Sequence, residues 1–128
     1  MRIGHGYDVH RLTENRDLIL GGVKIPFENK GLLGHSDADV LTHAIMDALL
    51  SSASLRDIGY HFSDKDAKYK DISSMILLEK VMEMLKEKGL KPLNVSAVVM
   101  AEKPKLSKFV PEITKSLADK MNMSVNDI

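Results

Sequence analysis

His35-Ser36-Asp37-Ala38-Asp39-Val40-Leu41-Thr42-His43-Ala44-Ile45-Met46-Asp47-Ala48-Leu49 is the stretch that decides the fold. Val40, Leu41, Ala44, Ile45, Ala48 and Leu49 recur at three- and four-residue spacing, which on a helix makes one apolar stripe. Asp39, His43 and Asp47 are spaced by four and line up as a polar ridge beside that stripe. Ser36, followed three residues later by Asp39, resembles a capping box, although the usual partner is Glu or Gln. Residues 28–36, with Gly31 and Gly34, then form the loop that delivers His35 and Ser36 to the helix start.

On the N-terminal side, residues 1–27 read as a β-hairpin. Ile3, Tyr7 and Val9 make its first strand; Leu18-Ile19-Leu20 with Val23-Lys24-Ile25 make the second, broken by Gly21-Gly22 and stopped by Pro26. On the C-terminal side, Ser51 to Lys70 is a loop dense in Asp and Gly, either a functional lid or a solvated connection. A second helix is predicted from about Ser74 to Lys88, with Ile76, Leu77, Val81, Met84 and Leu85 facing the core and Gly89 closing it. The β-branched run Asn94 to Ala101 predicts a strand ended by Pro104, and Val110 to Met121 a third helix around Pro111. Ser124 to Ile128 resembles the approach to a further strand. That order implies an α+β fold, a mixed β-sheet with helices packed on one face, formed by residues 1–128 as one domain.

Eighteen acidic residues balance eighteen Lys and Arg, so no global field draws the chain to nucleic acid or to an anionic membrane. The charge is uneven along the chain: residues 1–66 carry a net −3, residues 67–128 a net +3, and all five histidines lie in the first half. Without cysteine there is neither a disulfide nor a thiolate site, so any metal must be held by His and carboxylate. No apolar run approaches the roughly 20 residues of a membrane span, and the N-terminus is not a signal peptide, which points to the cytoplasm.

Residues two apart on a strand point the same way, so Asp8 and His10 emerge together. With His43 from the helix they offer two nitrogens and one oxygen, a set that suits zinc with a fourth position left open for water or substrate. Asp-x-His alone is a weak pattern, as often a surface carboxylate beside a satisfied histidine. Crowding His35, Asp37, Asp39 and His43 into one loop and helix start costs stability unless something offsets it, and a metal does so economically. His43 is otherwise a core histidine bonded to Asp39 or Asp47, and the same carboxylate could orient a ligand. His35 and Ser36 could bind an anion at the helix N-terminus, or Ser36 could simply cap it. Asp57-Ile58-Gly59 could grip hydroxyls or magnesium, or form an ordinary turn. Lys103-Pro104-Lys105 could meet phosphate or a base, or be solvated.

Taken together, Met1 to His10, Gly21 to Pro26, Lys30 to Asp39 with His43, Asp57 to Gly59 and Lys103 to Leu106 make the chain resemble the 2-C-methyl-D-erythritol 2,4-cyclodiphosphate synthase family of the non-mevalonate isoprenoid pathway. The resemblance implies a homotrimer with active sites between subunits. There 4-diphosphocytidyl-2-C-methyl-D-erythritol 2-phosphate is cyclised with release of CMP. It implies Asp8, His10 and His43 as zinc ligands, with Asp8 and His10 also facing the substrate. His35 and Ser36 would contact phosphate, His35 also stabilising the transition state. Asp57, Ile58 and Gly59 would hold the methylerythritol part with Phe62, Ser63, Asp64, Lys65 and Asp66. Ala101, Glu102, Lys103, Pro104, Lys105, Leu106 and Ser107 would cradle the cytidine end, and a second cation, Mg2+ or Mn2+, would bridge the phosphates. Three positions depart from the family pattern: Ser63 for Pro, Arg56 for Gly and Glu102 for Gln. The family continues through a further strand and a Thr-Thr-Thr-Glu segment. The expectation for these 128 residues is therefore a C-terminally incomplete domain that trimerises poorly and turns over weakly. The alternatives are a metal-dependent phosphohydrolase and a non-catalytic zinc-binding trimeric module.

Overall fold

The computed structural model describes residues 1–128. Four three-residue strands come first: β1 (Leu12–Glu14), β2 (Leu18–Leu20), β3 (Val23–Ile25) and β4 (Lys30–Leu32). Four helices follow, α1 (Val40–Ser52), α2 (Ile58–His61), α3 (Ser74–Glu87) and α4 (Val110–Met121), with 3-10 turns at Ala67–Tyr69, Ser107–Phe109 and Val125–Asp127. The fold mixes helices with two small antiparallel sheets: β1 pairs with β4, Thr13 opposite Gly31, and β2 pairs with β3, Leu20 opposite Val23.

The expected mixed sheet is replaced by these two antiparallel pairs, and the strand expectations need four corrections. Gly21-Gly22 does not interrupt one strand; it is the two-residue turn of the β2–β3 hairpin, with φ of 58° and 77°, a left-handed pair that suits glycine. Residues 94–101 form no strand, since their only main-chain hydrogen bond runs from Val95 N–H to Asp127 O at 2.8 Å. β-branched composition favours a strand only where a partner pairs with it. Ser124 to Ile128 turns into 3-10 geometry instead of extending.

Residues 1–10 likewise pair with no strand, yet burial alternates along them: Gly4, Gly6, Asp8 and His10 turn inward while Ile3, Tyr7 and Val9 are exposed. The inward glycines lie so close to α1 that a Cβ at Gly4 would overlap Ala48 O, and one at Gly6 would overlap Ala44 O. Small residues on both sides thus press the N-terminal segment onto the helix and fix where Asp8 and His10 emerge.

α1 is buried through Leu41, Ile45, Met46, Leu49 and Leu50, and α3 packs on it through Met75, Leu77, Leu78, Val81 and Leu85. Ile76 is exposed, contrary to the sequence expectation, because the buried positions 74, 75, 77, 78, 81 and 85 place the apolar face one residue away from it. α4 closes the core with Ile113, Leu117 and Met121.

The cap of α1 is not Ser36. Asp39 is the N-cap: its carboxylate accepts from Thr42 N–H at 3.0 Å and Thr42 Oγ1 at 2.8 Å, and also from the hairpin-turn amides of Gly21 (3.0 Å) and Gly22 (2.8 Å). A two-oxygen acceptor has room for all four donors, so a fully buried carboxylate joins hairpin to helix. Burial raises the Asp39 carboxyl above its ordinary value, with the Thr42, Gly22 and Gly21 bonds pulling the other way. Arg56 occupies the left-handed region at φ 69°, a conformation that favours glycine, and its guanidinium lies 4.1 Å over the Tyr60 ring.

Candidate metal centre

Asp8, His10 and His43 converge with their ligand atoms all within 4.8 Å of one another. Asp8 Oδ2 lies 3.3 Å from His10 Nδ1 and 3.1 Å from His43 Nδ1, and the two rings are 5.3 Å apart. The buried His10 Nδ1 has no hydrogen-bond partner, its approach to Asp8 being off hydrogen-bond geometry. A buried nitrogen left without a partner beside a carboxylate and a second imidazole fits a cation, and the donor set suits a divalent metal.

Electrostatics favour the ligand forms. Burial opposes ionisation of Asp8, but contact with His43 and the charges of His10 and His43 outweigh it and hold the carboxyl below its ordinary value. Burial, together with the charges of His43 and Arg16, holds His10 below the usual imidazole range despite the pull of Asp8. A metal therefore meets an ionised carboxylate and a neutral imidazole, with few protons to displace.

His43 is not bonded through its side chain to Asp39 or Asp47. Its Nε2 lies 2.9 Å from Ser74 Oγ and 3.0 Å from Ser36 Oγ. Ser74 in turn donates its hydroxyl to Asp37, and its N–H bonds the same carboxylate at 2.9 Å. Arg16 fixes the loop before α1 by donating to Gly34 O and Ser36 O, both at 3.0 Å. Within that loop Ala38 is held at φ 57° and fully buried, a strained conformation for a residue with a Cβ. Sequence reasoning missed Arg16 and Ser74, which nothing in their spacing marks, and placed Asp37 in the crowded loop without its Ser74 partner.

The other expected site residues fall into two groups. Asp8, His10, Ala101, Glu102, Lys103, Pro104 and Leu106 line one largely apolar cavity of about 820 Å³ between the N-terminal segment and residues 95–106. Lys105 and Ser107 lie beside it, both exposed.

The second group sits along residues 57–66. Asp57 caps α2, accepting from Tyr60 N–H at 2.8 Å, and the loop is tied to α1 where Asp47 accepts from Ile58 N–H at 2.9 Å. Gly59 is exposed in the first turn of α2. Asp64 and Lys65 are exposed, Ser63 Oγ accepts from Lys65 N–H, and Asp66 caps the next turn. His35 Nε2 lies 3.4 Å from Asp66 O, which brings the His35 loop to this group. The Phe62 side chain is core, edge-on to Tyr69 with centroids 5.5 Å apart.

Comparison with known proteins follows the same lines. A 2-C-methyl-D-erythritol 2,4-cyclodiphosphate synthase from Synechococcus sp. is 56% identical over the whole of this chain, which covers 81% of that protein. One from Clostridium perfringens gives the same identity and coverage. A solved structure of a 2C-methyl-D-erythritol-2,4-cyclodiphosphate synthase in a CDP-bound form superposes with a TM-score of 0.92 at 39% identity, over 99% of this chain and 84% of that one. The profile of the YgbB family matches residues 1–128, and the chain belongs to that family, an enzyme family of 2-C-methyl-D-erythritol 2,4-cyclodiphosphate synthases.

Proposed function

We propose that the chain converts 4-diphosphocytidyl-2-C-methyl-D-erythritol 2-phosphate to 2-C-methyl-D-erythritol 2,4-cyclodiphosphate and CMP. The observation that carries this reading is the Asp8, His10 and His43 cluster, two of whose members, Asp8 and His10, line the cavity that Ala101 to Pro104 and Leu106 also line, in a chain of this family. An oxygen of the 2-phosphate attacks the β-phosphorus, the bond from that phosphorus to the oxygen bridging to CMP breaks, and the electron pair departs with CMP. The substrate supplies its own nucleophile, so the protein contributes position and charge compensation.

Asp8, His10 and His43 would hold Zn2+, which supplies polarisation of a phosphoryl group when bound. His35 and Ser36 orient phosphate oxygens, Asp57 to Gly59 hold the methylerythritol hydroxyls, and residues 101–107 enclose the nucleotide. A second cation, Mg2+ or Mn2+, belongs with the diphosphate. The working assembly is a homotrimer in the cytoplasm with sites between subunits. The exposed Ile3, Tyr7, Val9, Val98 and Met100 side chains support a partner surface of that kind.

The test is metal content measured alongside nucleotide release. Stoichiometric zinc with CMP formation supports the reading; zinc without turnover leaves only a metal-binding module, and CMP release without zinc removes the ligand assignment.

A further inference from the structure

Between Asp37 and the candidate metal centre runs a directed chain of hydrogen bonds, from Asp37 through Ser74 to His43. Ser74 is fully buried, the first residue of α3, and its hydroxyl is bonded to the Asp37 carboxylate. A hydroxyl has one proton and a carboxylate only accepts, so that proton is committed to Asp37. Ser74 Oγ then faces His43 Nε2, 2.9 Å away, with lone pairs alone. A hydrogen bond between the two therefore has its proton on Nε2 of the ring.

Ser36 Oγ, 3.0 Å from the same nitrogen, does not decide the matter, because a hydroxyl with no committed proton can accept or donate equally well. The consequence at the other end of the ring is that Nδ1 carries a lone pair. It faces Asp8 Oδ2 at 3.1 Å, a contact that a proton on Nδ1 would also satisfy, so the Ser74 and Asp8 contacts pull the tautomer opposite ways, and a cation between Nδ1 and Oδ2 removes the second pull.

We propose that Ser74 and Asp37 are positioning residues that fix His43 as the Nε2–H tautomer and so present Nδ1 to the metal. Neither touches the metal or the substrate. The inference rests on the metal reading above but concerns the ring, and can fail separately. It also leaves Ser36 accepting from His43 Nε2–H and from Ala38 N–H, at 3.4 Å, with its own hydroxyl proton available to a phosphate oxygen.

The experiment labels the histidine rings with ¹⁵N and records ring ¹H–¹⁵N correlations, assigned to His43 by comparison with His43→Ala. Spectra are taken on wild type, Ser74→Ala and Asp37→Asn, each metal-free at about pH 8.5, above the ordinary imidazole range, and again with zinc added. Wild type should show the Nε2–H form in both states. Ser74→Ala should show mixed tautomers without metal and bind zinc roughly 10- to 100-fold more weakly, as loss of an outer partner of a ligating histidine costs. Asp37→Asn, which keeps the side-chain volume but replaces one carboxylate oxygen by an NH2 donor and removes the charge, loosens the hold on the Ser74 proton and should move part of the way in the same direction.

A wild-type ring protonated on Nδ1, or a Ser74→Ala protein with unchanged tautomer and zinc affinity, overturns the proposal. The wild-type spectrum carries the test even where a variant fails to fold. Absence of zinc binding in wild type sinks the metal reading, and the metal-free spectrum still decides the tautomer.

Discussion

His43 Nδ1 lies 3.1 Å from Asp8 Oδ2 although 35 residues separate the two in sequence. The contact joins a segment pressed onto α1 through glycines to a ring carried by α1 itself, so the geometry of the site depends on how closely those two backbones approach.

Removing the ring from that contact should abolish the metal site while sparing the fold. His43→Ala leaves two ligands of three, and its zinc affinity should fall by more than the roughly 100-fold that loss of an outer partner can cost. Chelator competition measures this, and unchanged zinc binding contradicts the ligand assignment.

The close approach itself is testable at Gly6. A Cβ there would overlap Ala44 O, a backbone atom of α1 that cannot move aside without bending the helix. Gly6→Ala should lift residues 4–10 away and weaken metal binding, while the cooperative unfolding of the helical core persists. Equal zinc affinity in Gly6→Ala and wild type would show that the packing does not position the site.

Asp39 tests how hairpin and helix are held together. Asp39→Ala leaves the amides of Gly21, Gly22 and Thr42 without their acceptor, at about 1–3 kcal/mol for each buried donor left unsatisfied. Urea denaturation should show a loss of about 3 kcal/mol or more, with Asp39→Asn losing less because its carbonyl still accepts. A loss under about 1 kcal/mol in Asp39→Ala contradicts the role.

Asp47 provides a pH signature away from the ligands. Burial foremost, then the charges of Asp57 and Asp8, raise its carboxyl above the ordinary value despite the bond from Ile58 N–H. A raised carboxyl binds its proton more tightly in the native state, so its ionisation costs stability above the native value, and the cost vanishes below the unfolded value near 3.8. Asp47→Asn should therefore compare best with wild type at pH 7, its advantage shrinking as the pH falls through that range. Melting temperatures of the two proteins at pH 7 and pH 4 check this, and a difference independent of pH contradicts it.

The three long helices were legible because apolar spacing of three and four depends on nothing outside the segment; Val110–Met121 begins and ends where the sequence places it. Asp8 and His10 were legible for a similar reason, since alternation along an extended segment is local. Partners set by tertiary packing were not. Ser74 reaches His43 across 31 residues and Asp37 across 37, and a serine at a helix start looks like any other cap. The β2–β3 hairpin was hidden because Gly21-Gly22 reads as a break until both residues are seen at positive φ. Residues 94–101 show that strand composition without a pairing partner does not make a strand.

The most direct test follows the phosphorus by ³¹P NMR while the protein, supplied with Zn2+ and Mg2+, acts on 4-diphosphocytidyl-2-C-methyl-D-erythritol 2-phosphate. Intramolecular attack predicts a cyclic diphosphate appearing in step with CMP. Linear hydrolysed phosphates alone, with no cyclic product, would contradict the account and leave the metal centre that of a phosphohydrolase.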